Sequence, residues 1–94
     1  MGVPLKRKGN TRIHKDNRST DVVLYNTTIV SFDNNTITLD HGGWKTATTK
    51  QRMNLASDEY DLGYYVYSSN YRWYVRFNGK TYDFNQKELI LKRV

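Results

Sequence analysis

The residues best equipped for chemistry lie together in the middle of the chain, in Gly42-Gly43-Trp44-Lys45-Thr46-Ala47-Thr48-Thr49-Lys50-Gln51-Arg52-Met53-Asn54. Two glycines allow a tight turn or a close approach of backbone to another group. Thr48 followed by Gln51 has the spacing of a capping box. That spacing predicts a helix from Thr49 to near Tyr60, ahead of Gly63. The leading end of a helix attracts anions, by about 0.3–1 kcal/mol per charge. Here it carries Lys45, Lys50 and Arg52, while the trailing end carries Asp58, Glu59 and Asp61. Both ends are charged against the dipole. Free N–H groups, threonine hydroxyls and cations at one tip suit a phosphate, which assigns Lys45, Thr48, Thr49, Lys50 and Arg52 to a candidate anion site. The plainer alternative is that exposed charges at helix ends are screened and cost little. The P-loop pattern is absent.

A second group follows. Tyr65, Tyr67, Arg72, Tyr74, Arg76, Thr81 and Asp83 share one face if the C-terminal half is a meander. Tyrosines interleaved with arginines have the composition of a stacking platform for single-stranded nucleic acid, where a stacked base is worth about 1–3 kcal/mol. Arg72, Tyr74 and Arg76 are the expected contacts. Two other readings stand beside it: ordinary cross-strand tyrosine pairs, with Tyr65 opposite Tyr74, and a protein-binding patch, since interface anchors favour tyrosine and arginine.

Charge supports a polyanionic partner. The chain of 94 residues carries a net charge of +6, and residues 1–20 alone hold +5, from Lys6, Arg7, Lys8, Arg12, Lys15 and Arg18 against Asp16. The remainder is nearly neutral. Lys6, Arg7, Lys8 and Arg12 are therefore expected to supply non-specific phosphate attraction. A solvated terminus that aids solubility is the alternative.

Catalytic groupings are poor. His14 lies in the basic arm, and His41 follows Asp40 and reads as a turn residue. One structured histidine makes no histidine metal cluster, and no His-Glu-x-x-His pattern occurs. Asp58, Glu59 and Asp61 read as a solvated helix end. Ser31, Ser57, Ser68 and Ser69 lack a nucleophile setting. Cysteine is absent, which excludes disulfides and thiolate metal sites. Neither an enzyme nor a cofactor is expected. No apolar run is long enough to cross a bilayer, and no hydrophobic signal segment follows Met1.

The elements that must position these residues read as one small domain after a flexible basic arm, residues 1–20 and 21–94. Val22, Leu24, Thr28, Val30 and Phe32 share a two-residue phase, with an interruption near Asn26-Thr27. Ile37 and Leu39 follow an Asn34-Asn35 turn, pairing Phe32 with Ile37 and Val30 with Leu39. Met53, Ala56 and Tyr60 form a narrow apolar stripe on the helix, a turn beyond Thr49. Trp44, just ahead of the helix, reads as a core anchor, with a ligand platform as the alternative. Asn78-Gly79 is a strong hairpin turn that pairs Val75 with Tyr82 and Trp73 with Phe84. A Ser69-Asn70 turn would set Val66 against Trp73 and Tyr64 against Val75. Glu88 to Val94 reads as a further edge strand or a docked tail. The expected fold is α+β: an N-terminal β-hairpin, one central helix, and a C-terminal antiparallel three-stranded meander packed on that helix.

The central segment, with Leu62-Gly63-Tyr64-Tyr65-Val66-Tyr67 and Trp73-Tyr74-Val75, resembles a family of short tailed-phage proteins, over roughly residues 23–84. The resemblance implies a virus-encoded protein at work in the host bacterial cytoplasm or in the virion, and brings no site residues with it. Together these readings lead to the expectation of a small nucleic-acid-binding accessory protein, on DNA or RNA. Its alternative is a protein-interaction module that inhibits a host enzyme or forms a minor virion component. A membrane is not an expected partner, and the oligomeric state is left open.

Overall fold

A computed structural model of the chain describes residues 9–93. Strand β1 (Thr11–Lys15) pairs with β2 (Thr20–Leu24), β2 with β3 (Thr27–Phe32), and β3 with β4 (Thr36–Asp40). Helix α1 (Ala47–Tyr60) follows. A second sheet is built from β5 (Tyr64–Ser69), β6 (Arg72–Phe77) and β7 (Lys80–Asp83). Strand β8 (Glu88–Lys92) then returns to pair with β4. The result is α+β, with a five-stranded antiparallel sheet in the order β1-β2-β3-β4-β8 and a three-stranded one in the order β5-β6-β7.

The first half departs from the expected single hairpin. The arm expectation does not hold beyond residue 10, since Thr11–Lys15 form a paired strand with Thr11 buried and Ile13 packed against the core. Residues 1–8, which include Lys6, Arg7 and Lys8, lie outside the described residues. The stretch read as one strand is two, folded back at Tyr25-Asn26. Between Val22↔Val30 and Val23↔Thr28 the register shifts, so Ile29 is a bulge residue. That extra residue turns Ile29 inward and leaves Thr28 exposed, which breaks the assumed two-residue phase. Beyond the bulge the expected pairs Phe32↔Ile37 and Val30↔Leu39 are present. Their turn is closed by the Asp33 carboxylate, which accepts the Asn35 and Thr36 N–H groups at 2.7 and 2.8 Å. Neither Asn34 nor Asn35 has positive φ.

In the second sheet, Val75↔Tyr82 is present as expected, and the Phe84 N–H donates to the Trp73 carbonyl at 2.9 Å. The β5–β6 turn is Asn70-Tyr71, with φ of 52° and 66°, not Ser69-Asn70. Its register is therefore Val66↔Val75 and Tyr64↔Phe77. The displacement is by two residues, an even number, so each side chain keeps the face expected of it. Tyr67 opposes Tyr74, and Tyr65 opposes Arg76 rather than Tyr74.

The helix joins the two sheets, contacting β2 and β3 on one side and β5 on the other. Its buried residues are Thr49, Met53, Ala56 and Ser57. Tyr60 and Leu55 are half-buried at the margin of the same core, and Tyr60 packs against Phe32 with ring centroids 5.1 Å apart. The core is shared: Val22, Ile29, Val30, Ile37, Leu39 and Leu91 come from the first sheet, Met53 and Ala56 from the helix, Val66, Trp73 and Val75 from the second sheet, and Phe84 from the loop that follows it. No helix among the described residues is long and apolar enough to cross a membrane.

Candidate functional site

The helix begins two residues earlier than the capping-box reading places it. Thr46 is the N-cap, and its Oγ1 accepts the Thr49 N–H at 3.2 Å and contacts Thr49 Oγ1 at 3.1 Å. The inverted end charges are real: the first turn has no acid and the last turn no base. The chain leaves the helix through Asp61 in the left-handed region, φ 55°, followed by Gly63 at φ 81°.

Ahead of the helix, hydrogen bonds to side chains and backbone wind residues 40–46 into a compact turn. The Gly42 N–H donates to Asp40 Oδ1 at 2.7 Å, Gly43 N–H to His41 Nδ1 at 3.0 Å, and Trp44 N–H to the His41 carbonyl at 2.8 Å. Gly42 has φ 62°, and a Cβ there would lie 2.8 Å from the Thr27 methyl. Glycine is favoured there, because the left-handed backbone is costly for most side chains and an added Cβ would press on Thr27.

His41 is not the exposed turn residue expected from the sequence. It is 3 % exposed, packed edge-on against Trp73 and against Phe84 at centroid distances of 5.7 and 5.0 Å. Nδ1 acts as acceptor, so the neutral ring carries its proton on Nε2, which makes no hydrogen bond of ordinary geometry. Burial, assisted by the nearby Lys45 ammonium, holds its pKa below the ordinary histidine value; the backbone carbonyls of Gln86 and Asn85 and the Asp40 carboxylate oppose this only in part.

Trp44 is likewise not a core anchor. It is 66 % exposed and lines a cavity of about 590 Å³ together with Tyr25, Leu24, Ile29, Thr46 and Thr48. Asn26, Thr27, His41 and Thr49 complete the wall. Tyr25 is 61 % exposed at φ 55°, a conformation uncommon for an aromatic residue. It is held there from two sides, by Asn10 ahead of β1 and by Arg12 within it: its N–H donates to the Asn10 carbonyl at 2.7 Å, and its carbonyl accepts from Arg12 Nη2 at 3.1 Å. Tyr25 is hidden in the sequence because the run from Val22 to Phe32 alternates as a single strand would. Tyr-Asn between two apolar runs was the available turn signal.

The cations grouped around the helix start do not converge. Lys50 Nζ donates to Ser68 Oγ at 2.8 Å and lies 5.8 Å from the Trp73 ring centroid. Arg52 Nε donates to Thr11 Oγ1 at 3.1 Å, and its Nη1 contacts Gln51 Oε1. Lys45 is exposed, within electrostatic reach of Asp83 and His41. Thr49 is buried and already partnered with Thr46, and Thr48 faces the cavity. None of the three cations lines that cavity. The reason is placement: Lys45 lies ahead of the Thr46 cap, Lys50 in the first turn and Arg52 in the second, and each meets a different neighbour.

The tyrosine–arginine face does assemble. The rings of Tyr65 and Tyr67 stack at 6.1 Å and 17°, and those of Tyr67 and Tyr74 at 5.6 Å and 30°. Arg72 and Arg76 are exposed on the same face, since they alternate with the inward Trp73, Val75 and Phe77. Asp83 also lies there, its carboxylate kept below the usual range mainly by the Asn85 backbone N–H, which donates to it at 3.0 Å, and further by Arg72 and Lys45. Lys50 and Ser68 are on the opposite, helix-facing side, whereas Lys45, just ahead of the helix, is within electrostatic reach of Asp83 on this face. Among the described residues no group of histidines, cysteines or carboxylates has metal-binding geometry.

Comparison with protein families supplies the context. The model of the Kyanoviridae Gp96 protein matches residues 4–91. The chain belongs to that family. It is thus a tailed-phage protein, as the central segment had implied. No curated protein and no solved structure matches it.

Proposed function

We propose that this phage protein is a nucleic-acid-binding accessory protein, a binder rather than an enzyme, acting in the host cytoplasm or the virion. Its interface is the outer face of the three-stranded sheet. The observation that carries the reading is the ladder of Tyr65, Tyr67 and Tyr74, already stacked and flanked by the exposed Arg72 and Arg76. Prestacked rings lose little side-chain entropy when a base adds to the end of the stack, and the arginines reach backbone phosphates. Lys6, Arg7, Lys8 and Arg12 add sequence-independent attraction. Lys45, Lys50 and Arg52 have other partners or directions and are not assigned to one phosphate.

Anisotropy of labelled single-stranded DNA and RNA, titrated with the full chain at two ionic strengths, tests the reading. Each phosphate neutralised should contribute about −0.7 to the slope of log affinity on log salt for single strands. The Tyr65→Ala, Arg76→Ala double variant should bind at least about tenfold more weakly, as expected from loss of one stacked base. Absence of binding at low salt refutes it.

Tyr71, wholly exposed at the β5–β6 hairpin tip, favours a second reading in which the same sheet end docks on a host or virion protein. Capture of one partner at high salt, lost in Tyr71→Ser and unaffected by nuclease, would favour that reading over the first.

A further inference from the structure

We infer that the cavity between the Tyr25-Asn26 turn and the start of α1 binds a single planar heterocycle of the nucleobase class, whether free as a nucleoside or unstacked from a strand. This goes beyond the sheet-face reading and does not rest on it, because none of the cavity's residues belongs to β5, β6 or β7. Its volume of about 590 Å³ is within the range of small-molecule sites, roughly 300–1,000 Å³.

The wall chemistry narrows the occupant. Leu24 and Ile29 give an apolar floor, and Trp44 and Tyr25 add two largely exposed aromatic rings. Large exposed aromatics beside an apolar floor are costly to leave in water and favour a flat π-system. Besides Asn26, Thr27 and the buried His41, the polar part of the wall is the helix start, with the hydroxyls of Thr46 and Thr48; the Thr49 N–H there is already capped by Thr46. That end carries positive dipole charge and suits carbonyl oxygens. No lysine, arginine or carboxylate lines the cavity, so it has no countercharge for a phosphate or an ammonium group. A neutral ring bearing carbonyl oxygens satisfies all three conditions, and a nucleobase is such a ring.

The full chain titrated with uridine and with guanosine provides the test, read by calorimetry and by tryptophan emission. Trp44 is 66 % exposed and Trp73 only 5 %, so quenching of the solvent-exposed component reports on the cavity. The expected result is saturable binding with that quenching, weakened about tenfold or more in Trp44→Ala, the scale of one lost base–aromatic stack. Thr48→Glu is the second variant. An acid in the first turn favours the helix, so its unfolding temperature should hold or rise, while its carboxylate repels the carbonyl edge and weakens binding. A parallel titration with a short single-stranded oligonucleotide, on the Tyr65→Ala, Arg76→Ala background, separates the sources. Quenching by nucleosides assigns the free ligand, and quenching by the oligonucleotide alone assigns a strand base. No saturable heat or quenching with either probe, or binding undiminished in both cavity variants, overturns the proposal. Failure of the unsubstituted chain to bind the oligonucleotide, with Trp44 quenching by nucleosides intact, would count against the sheet face alone.

Discussion

The side chain of Asn54 holds the backbone of Val66 at both of its polar groups. Nδ2 donates to the Val66 carbonyl at 2.8 Å, and Oδ1 accepts the Val66 N–H at 2.7 Å. One turn on, Ser57 Oγ donates to the Tyr64 carbonyl at 2.7 Å and accepts the Tyr64 N–H at 3.1 Å. The Tyr64 hydroxyl returns to the Met53 carbonyl at 2.6 Å. Two helix side chains thus stand where a fourth strand would, closing the β5 edge and fixing the helix against the second sheet.

Asn54→Ala should therefore destabilise the protein more than a half-buried helix residue ordinarily would. It leaves one donor and one acceptor unpaired at about 1–3 kcal/mol each. Asn54→Asp still accepts the Val66 N–H but sets a carboxylate against the Val66 carbonyl, and should be comparably destabilised near neutral pH. Urea denaturation of the two variants beside the parent measures this; a loss below about 0.5 kcal/mol in both would remove the edge-closing role.

Acid should weaken the fold through His41. Its folded pKa lies below the unfolded value near 6.5, so the unfolded chain binds the extra proton first. The stabilisation is complete above about pH 6.5 and is lost as the pH falls through that value toward the folded pKa. Protonation also removes the Nδ1 lone pair that accepts the Gly43 N–H. Melting curves between pH 8 and 5 should show a falling unfolding temperature, with a flatter slope in His41→Asn, whose Oδ1 keeps an acceptor near the Nδ1 position. An equal slope in the variant would assign the effect elsewhere.

Asp61 sits in the left-handed region at the helix C-terminus, with its own charge against the dipole. Asp61→Gly should raise stability by about 1 kcal/mol, from relief of the backbone cost and of the unfavourable charge, less the added freedom of the unfolded chain. Neither nucleoside binding nor oligonucleotide binding should change, because Asp61 lies at the far end of the helix from the cavity. Chemical denaturation and the two titrations check both parts.

Arg52 ties the helix to the first strand through Thr11. Thr11→Val removes the acceptor while keeping the volume, so the loss should be about 0.5–1.5 kcal/mol, the net value of one hydrogen bond. If the double variant with Arg52→Ala is worse by the simple sum of the single effects, the two residues are not coupled.

Local pattern was enough for much of this protein. The Asn78-Gly79 turn, the Phe32↔Ile37 pair, the inward faces of β5 and β6 and the helix stripe through Met53 and Ala56 all follow from periodicities that act over a few residues. The faces survived even a misplaced turn, because side chains in a strand repeat every two residues and the slip was even. The tail strand was also legible as an element, though its partner was not: β8 joins β4, from which it is separated by the whole second sheet in sequence.

What local pattern could not supply was direction and company. Thr11–Lys15 looked too polar to order itself, yet it gains a full ladder of backbone bonds from β2 that no composition measure counts. The bulge at Ile29 and the fold at Tyr25 interrupt a run that otherwise alternates well. Lys45, Lys50 and Arg52 are neighbours in sequence, but their partners, Asp83, Ser68 and Thr11, are brought in from three parts of the chain. Residue types and spacings by themselves determined the helix, the hairpins, the aromatic–arginine alternation and the reversed end charges, since these depend on near neighbours alone. Only the tertiary structure decided that Trp44 faces a cavity, that His41 is buried beneath it, and that Asn54 and Ser57 complete a sheet edge. Each of those depends on which distant surface arrives opposite the side chain, and that is settled by packing the two sheets around one helix.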